Sequence, residues 1–186
     1  MADFAHARAV LLAARAALAS AEFAALLGEV DDEADDVDVT APVGPAVELA
    51  ARAVDAVTPP QAFPAIRLSI RTRDRPTVGP GACQTSEHTL EIRVFVAGEV
   101  FASGDWAHTT GHAAYEQALV LGRAAVFQLE RRLPGANGVY NVMPGDTSDE
   151  PEPPYPTTHP TVLRATWRLS IWQRTTTGRF HTEVIP

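Results

Sequence analysis

Lysine is missing from this chain altogether, and all fifteen basic residues are arginine. Biased codon usage in a GC-rich genome produces such a pattern. Whatever its origin, it leaves only rigid, two-pronged cations of the kind suited to subunit interfaces. Cysteine occurs once, at Cys83, which excludes an internal disulfide and any multi-cysteine zinc site. No apolar run approaches the roughly 20 residues needed to cross a bilayer. The N-terminal AVLLAARAALA is broken by arginine and followed by no cleavage site of the usual form, so neither a signal peptide nor a membrane anchor is expected. Aromatic residues make up 7% of the chain, and only Trp172 falls clearly on the side of the strand arginines, where a single-strand nucleic-acid groove would interleave several.

What is present suits one globular domain: 186 residues, 46% of them apolar, enough for a core with some decoration. The formal charge of −8 is unevenly placed. Residues 29–38 carry seven acids and residues 146–152 carry four. Without those eleven, twelve acids face fifteen arginines, so the rest of the chain is a mildly basic body of about +3. A nucleic-acid binder would have its basic groups clustered and unopposed, and sequence-specific binding of that kind is not expected.

Residues 4–19 are helical by composition, with Val10, Leu11, Ala14 and Leu18 in a stripe. Ser20, followed by Glu22 and Phe23, reads as a fresh cap for a second helix that Gly28 ends. Residues 29–40 form an acidic linker, too charged to bury. Residues 46–57, opened by Pro42 and Pro45 and closed by Thr58-Pro59-Pro60, carry Val47, Ala50, Ala51, Val54 and Val57 at helical spacing. Then residues 65–72 alternate Ile66, Leu68 and Ile70 with Arg67, Ser69 and Arg71, the period of a half-buried strand. Residues 73–87 read as a long exposed hairpin loop, and residues 88–96 as a second strand with Leu90, Ile92, Val94 and Val96 inward. In residues 98–108, Val100 and Phe101 extend or repeat a strand.

Residues 111–133 are the longest proline-free run of the second half, with Ala114, Ala118, Leu121, Ala125 and Leu129 on one helical face. Thr109 or Thr110 caps this helix, Arg131 and Arg132 suit its last turn, and Pro134-Gly135 stops it. A short strand at 139–143 and a proline-rich loop at 144–160 follow. Residues 162–175 form the longest strand, with Leu163, Ala165, Trp167, Leu169 and Ile171 on one face. Arg164, Thr166, Arg168, Ser170, Trp172 and Arg174 lie on the other. Residues 179–185 pair back on it. The order predicts an α+β fold: an antiparallel or mixed sheet, a long helix packed across it, and an N-terminal helical region. Residues 1–60 form that region and its linker, and residues 61–186 the body, as one domain overall.

Chemistry-bearing patterns are weak. His108 and His112 are four apart with Glu116 a further four along, a spacing that could share a zinc, but the metallopeptidase pattern needs Glu where Thr109 stands. Cys83 lies in a Gly/Pro-rich stretch near Glu87 and His88 without a recognisable elbow. Asp31, Glu33 and Asp35 alternate like a calcium loop but lack its glycine and closing Glu. Gly79-Pro80-Gly81 has no Lys after it and is no phosphate loop. No catalytic, metal or cofactor site is expected. The arginine-rich, partly aromatic sheet face is the better candidate, and the two acidic stretches are suited to pair with it from a neighbouring copy.

The run FPAIRLSIRTRDR, a long loop, HTLEIRVFVAG, the helix AYEQALVLGRAAVFQLERRLPG, the short strand GVYNVMPGD and the closing VLRATWRLSIWQRT resemble the tail terminator (tail completion) proteins of long-tailed bacteriophages. The likeness covers about residues 63–175. It implies an α+β virion subunit without a catalytic site, a sixfold ring that caps the tail tube, stops its polymerisation and joins it to the neck or head. Partners would be other copies, the tube protein and a neck or head completion protein, with no membrane and no cofactor. Arg71, Arg164, Arg168 and Trp172 are the expected subunit-interface residues. Two alternatives stand beside it: another neck connector or tube subunit, and a small metal- or thiol-dependent enzyme built on His108, His112 and Glu116 or on Cys83.

Overall fold

The computed structural model describes residues 2–32, 45–50, 59–60, 62–75, 83–97, 109–145, 148–152 and 162–176. Two helices come first, α1 (Ala2–Leu18) and α2 (Ala21–Asp32), then strands β1 (Ala46–Leu49), β2 (Ala65–Arg75) and β3 (Cys83–Ala97). Helix α3 (Thr109–Arg132) follows, and β4 (Val139–Pro144), β5 (Ser148–Glu152) and β6 (Val162–Thr176) complete the described elements. The sheet runs β1-β2-β3-β6-β4, with β5 also on β6. β1 is parallel to β2 and every other pairing is antiparallel, which makes an α+β fold with a mixed sheet.

Alternation along β2, β3 and β6 sorts their side chains onto two faces. One face carries Ile66, Leu68, Leu90, Ile92, Val94, Leu163, Ala165, Leu169 and Ile171, all buried. Each fully buried Leu or Ile there is worth about 1.5–3 kcal/mol relative to exposure. The three helices lie on this face and contribute Val10, Ala14, Phe23, Leu27, Ala118, Leu121, Ala125 and Leu129 to the same core. Ser20 joins α1 to α2: its hydroxyl donates to the Ala17 carbonyl (2.7 Å) and accepts the Phe23 N–H (3.2 Å), closing one helix while capping the next. Among the described residues no single helix is long and apolar enough to cross a membrane; α1 and α2 are bent by 53° at that serine turn.

Where α3 crosses the sheet, Gly122 faces Trp167 of β6, and a Cβ at that glycine would collide with the indole ring atoms. The missing side chain therefore sets how closely helix and sheet approach. Beyond α3, Gly135 (φ 85°), Asn137 (φ 52°) and Gly138 (φ 79°) turn the chain into β4. At Gly138 the backbone passes so close to the Arg174 carbonyl that a Cβ would collide with it.

Several expectations are corrected. Residues 46–49 form β1 rather than the start of a helix; 51–57 of that expected helix lie outside the described residues. The outer edge of β2 offers unpaired backbone groups. Val47 packs against the core, and Arg67 clasps Glu48 at 2.8 Å. Those tertiary gains outweigh the few tenths of a kcal/mol by which Ala, Glu and Leu favour helix. Gly28 does not end α2, which continues to Asp32 and takes in the first four residues of the expected linker. The hairpin loop is shorter than 73–87, because Arg73, Asp74 and Arg75 pair with Glu87, Ser86 and Thr85, and β3 begins at Cys83. Thr109 and Thr110 are the first residues of α3 rather than caps outside it.

The proline-rich stretch contains β5: β4 pairs with β6 only as far as Leu169, and β5 takes the edge further along, opposite Thr166 and Arg164. The strands expected within 98–108 and at 179–185 lie outside the described residues.

Substituting Gly122→Ala tests the helix–sheet contact. Helix propensity alone would favour alanine by about 1 kcal/mol, but displacing Trp167 is expected to cost more, for a net loss of about 1–3 kcal/mol. Urea denaturation measures it, and the same change in a Trp167→Phe background is expected to lose less.

Candidate functional site

The other face of the sheet lies away from the helices. Because directly paired residues share a face, the registers arrange it in rows. Ala65, Phe95 and Arg164 form one row, followed by Arg67, Arg93 and Thr166, then Ser69, Glu91 and Arg168, and then Arg71, Thr89 and Ser170. β4 extends the open end: Met143 lies opposite Ser170, and Asn141 lies opposite Trp172, which itself pairs with Glu87.

The two ends of this face differ. At the first, Ala65, Phe95 and Val162 form a small second cluster, and Arg67 lies over the Phe95 ring at 5.3 Å. Phe95 is 1% exposed there. Toward the other end exposure rises. Arg71, Arg168 and Arg174 are exposed, Trp172 is half-buried, and Tyr140 and Met143 are 51% and 49% exposed. Arg174 stacks over the Tyr140 ring at 5.2 Å. The hydroxyl residues Thr89 and Ser170 thus lie in a shallow floor among long aromatic, thioether and guanidinium side chains.

Charge is unbalanced on this face. Among its described side chains are six arginines (67, 71, 93, 164, 168 and 174) and three glutamates (48, 87 and 91), a surplus of three positive charges. Glu48 is taken by Arg67. Glu91, almost buried, is held at 2.5 Å by Arg93, while Arg168 stands 3.8 Å away and keeps much of its guanidinium exposed. One carboxylate is shared by two cations, so Arg168 is only partly compensated.

Of the four expected interface residues, Arg71, Arg168 and Trp172 come together at the open end, whereas Arg164 is half-buried at the covered end opposite Phe95. Tyr140 and Met143 belong to this patch and were missed. A five-residue apolar stretch shows neither its partner strand nor the register shift between Val139 and Asn141 that places them. Arg174 was visible as an alternating position of the last strand.

The alternative chemistries are not assembled among the described residues. His108 lies outside them, His112 is in the first turns of α3, and Glu116 is half-buried a turn further on. No group of three His, Cys, Asp or Glu side chains converges as a metal site among the described residues. Cys83 opens β3 opposite Thr176, in a strand rather than a loop. His88 has a different role. It is fully buried on the helix-covered face, where its Nε2 meets Gln173 Oε1 at 2.8 Å and its Nδ1 meets the Thr72 hydroxyl at 3.0 Å. Gln173 Nε2 donates to the Asn137 carbonyl at 2.6 Å. That leaves Gln173 Oε1 to accept from His88 Nε2–H, while the Thr72 hydroxyl pairs with Nδ1. The chain of hydrogen bonds ties the turn after α3 to the sheet.

No protein-family model matches the chain, and no curated protein matches it in sequence.

Replacing Gln173 by leucine is expected to strand the buried His88 Nε2–H and to lower stability by about 1–3 kcal/mol. An unchanged urea midpoint would show that this network is dispensable.

Proposed function

We propose that the protein is a structural virion component of the tail-terminator kind, a subunit that closes into a ring on the end of a long phage tail tube. The observation that carries this reading is the division of labour between the two sheet faces. Three helices seal one face, and the other keeps an exposed patch of Arg71, Arg168, Arg174, Tyr140 and Met143 around the half-buried Trp172. Arginine, aromatics and methionine are the residue types enriched where proteins bind one another, and aromatics and arginine dominate the binding energy. A terminator works by shape: it needs one surface for its own copies and others for the tube end and the neck, with no catalytic side chains. Contacts between unlike surfaces of identical subunits propagate head to tail and close when the rotation permits, here into the sixfold ring that the resemblance implies. The site of action would be the tail–neck junction of the virion. Arg71, Arg168 and Trp172 would serve the subunit interface, with Arg164 at its edge.

Native mass spectrometry and light scattering, alone and with isolated tail tubes, test the reading. A closed ring of about six copies is expected. Arg71→Glu with Arg168→Glu is expected to weaken its assembly by about tenfold or more, with the fold intact by circular dichroism. A chain that stays monomeric at high concentration and on tube ends would count against the proposal.

A further inference from the structure

Of the two acidic stretches that could face the arginine patch, the fold engages one elsewhere. Residues 148–152 of the second stretch form β5, hydrogen-bonded to the chain's own β6. The other, residues 29–38, begins in the last turn of α2 and carries seven acids; from residue 29 to 40 there is no basic residue. We infer that this acidic stretch of one copy docks on the Arg71–Arg168–Trp172–Arg174 patch of the next copy.

The inference rests on the ring reading and adds its contact. Charge supplies the first argument: a face whose described side chains carry three surplus positive charges meets a segment of uniform negative sign. The chemistry suits arginine, whose guanidinium can grip a carboxylate in two-pronged fashion: Arg174 lies over the Tyr140 ring at 5.2 Å, and Arg168 makes a long 3.8 Å contact to Glu91. Val30, Val37 and Val39 interleave with the acids and match the exposed Met143 and the half-buried Trp172.

Topology supplies the second argument. The stretch begins at the end of α2, which packs with α3 on the covered face, and the chain is next described at Pro45, just before β1 at the edge of the sheet opposite β4. The patch spans β2, β3, β6 and β4 on the other face. Segment and patch are different surfaces of one subunit, so the contact is head to tail, the type that builds rings rather than twofold dimers.

A charge-swap experiment followed by native mass spectrometry at low and high salt tests this. Three full-length variants are compared with the wild type: the patch reversal Arg168→Glu/Arg174→Glu, the segment neutralised over residues 33–38 (Glu33→Gln/Asp35→Asn/Asp36→Asn/Asp38→Asn), and the segment reversed over the same residues (Glu33→Arg/Asp35→Arg/Asp36→Arg/Asp38→Arg). Thermal melts establish that each is folded. Each variant alone is expected to associate at least about tenfold more weakly than wild type, as is the wild type in high salt. Mixing the patch reversal with the reversed segment is expected to restore assembly, as even-numbered rings of alternating chains. A neutralised segment that assembles like wild type, or a mixture that stays apart, overturns the inference while leaving the ring reading standing. A wild-type chain that never associates overturns both.

Discussion

Strands β3 and β6 are each fifteen residues long and pair along their whole length, with apolar helix-facing side chains at every second position from Leu90 to Val96 and from Leu163 to Ile171. This ladder is the constraint on which the other elements depend. Its apolar face must be taken out of water, and the three helices meet that requirement. The depth of the contact is set where Gly122 makes room for Trp167. Because β2, β3 and β6 satisfy one another's backbone groups, the face away from the helices owes nothing to the core over much of its length. It can carry arginines that a buried surface would exclude.

That freedom is used unevenly. Near Phe95 and Val162 the second face is nearly as dry as the first, and Arg67 is accommodated there because it is paired with Glu48 and lies over an aromatic ring. Toward Thr89 and Ser170 the face opens, and the long side chains around those hydroxyls are exposed. A flat, charged sheet surface of this kind is well suited to contact with another protein, and the surplus of arginine over glutamate gives that contact a sign. At this end the buried Thr72–His88–Gln173 chain runs on the opposite side of the same strands and fixes the turn that leads into β4. The residues presenting Tyr140 and Met143 are thus anchored from within the core.

Much of this was legible in the residues alone. The alternation of Leu163, Ala165, Trp167, Leu169 and Ile171 placed the last strand and its inner face, the stripe of Ala118, Leu121, Ala125 and Leu129 placed the long helix, and Ser20 marked the break between the first two. These are signals within one element, where side-chain spacing and backbone period have to agree. The same alternation put Arg168 and Trp172 on one face and Arg71 on its neighbour.

What failed concerned partners. Ala46–Leu49 has helical composition and became a strand because β2 had an open edge and Arg67 needed a carboxylate. Ser148–Glu152, read as loop among its prolines, became a strand because β4 stops short along β6. Arg67 and Glu91, on the face away from the helices, are nearly buried, Arg67 against Glu48 of β1 and Glu91 against Arg93 of its own strand with Arg168 of β6 beyond. In the same way Tyr140 and Met143 joined the patch only through the register of a short strand. By itself, the sequence determined which stretches are amphipathic and at what period, since that is a property of neighbours along the chain. The tertiary structure alone decided which edges are paired, which charges are matched and where the two faces open, since backbone hydrogen bonds and ion pairs between distant residues outweigh the small local preferences they oppose.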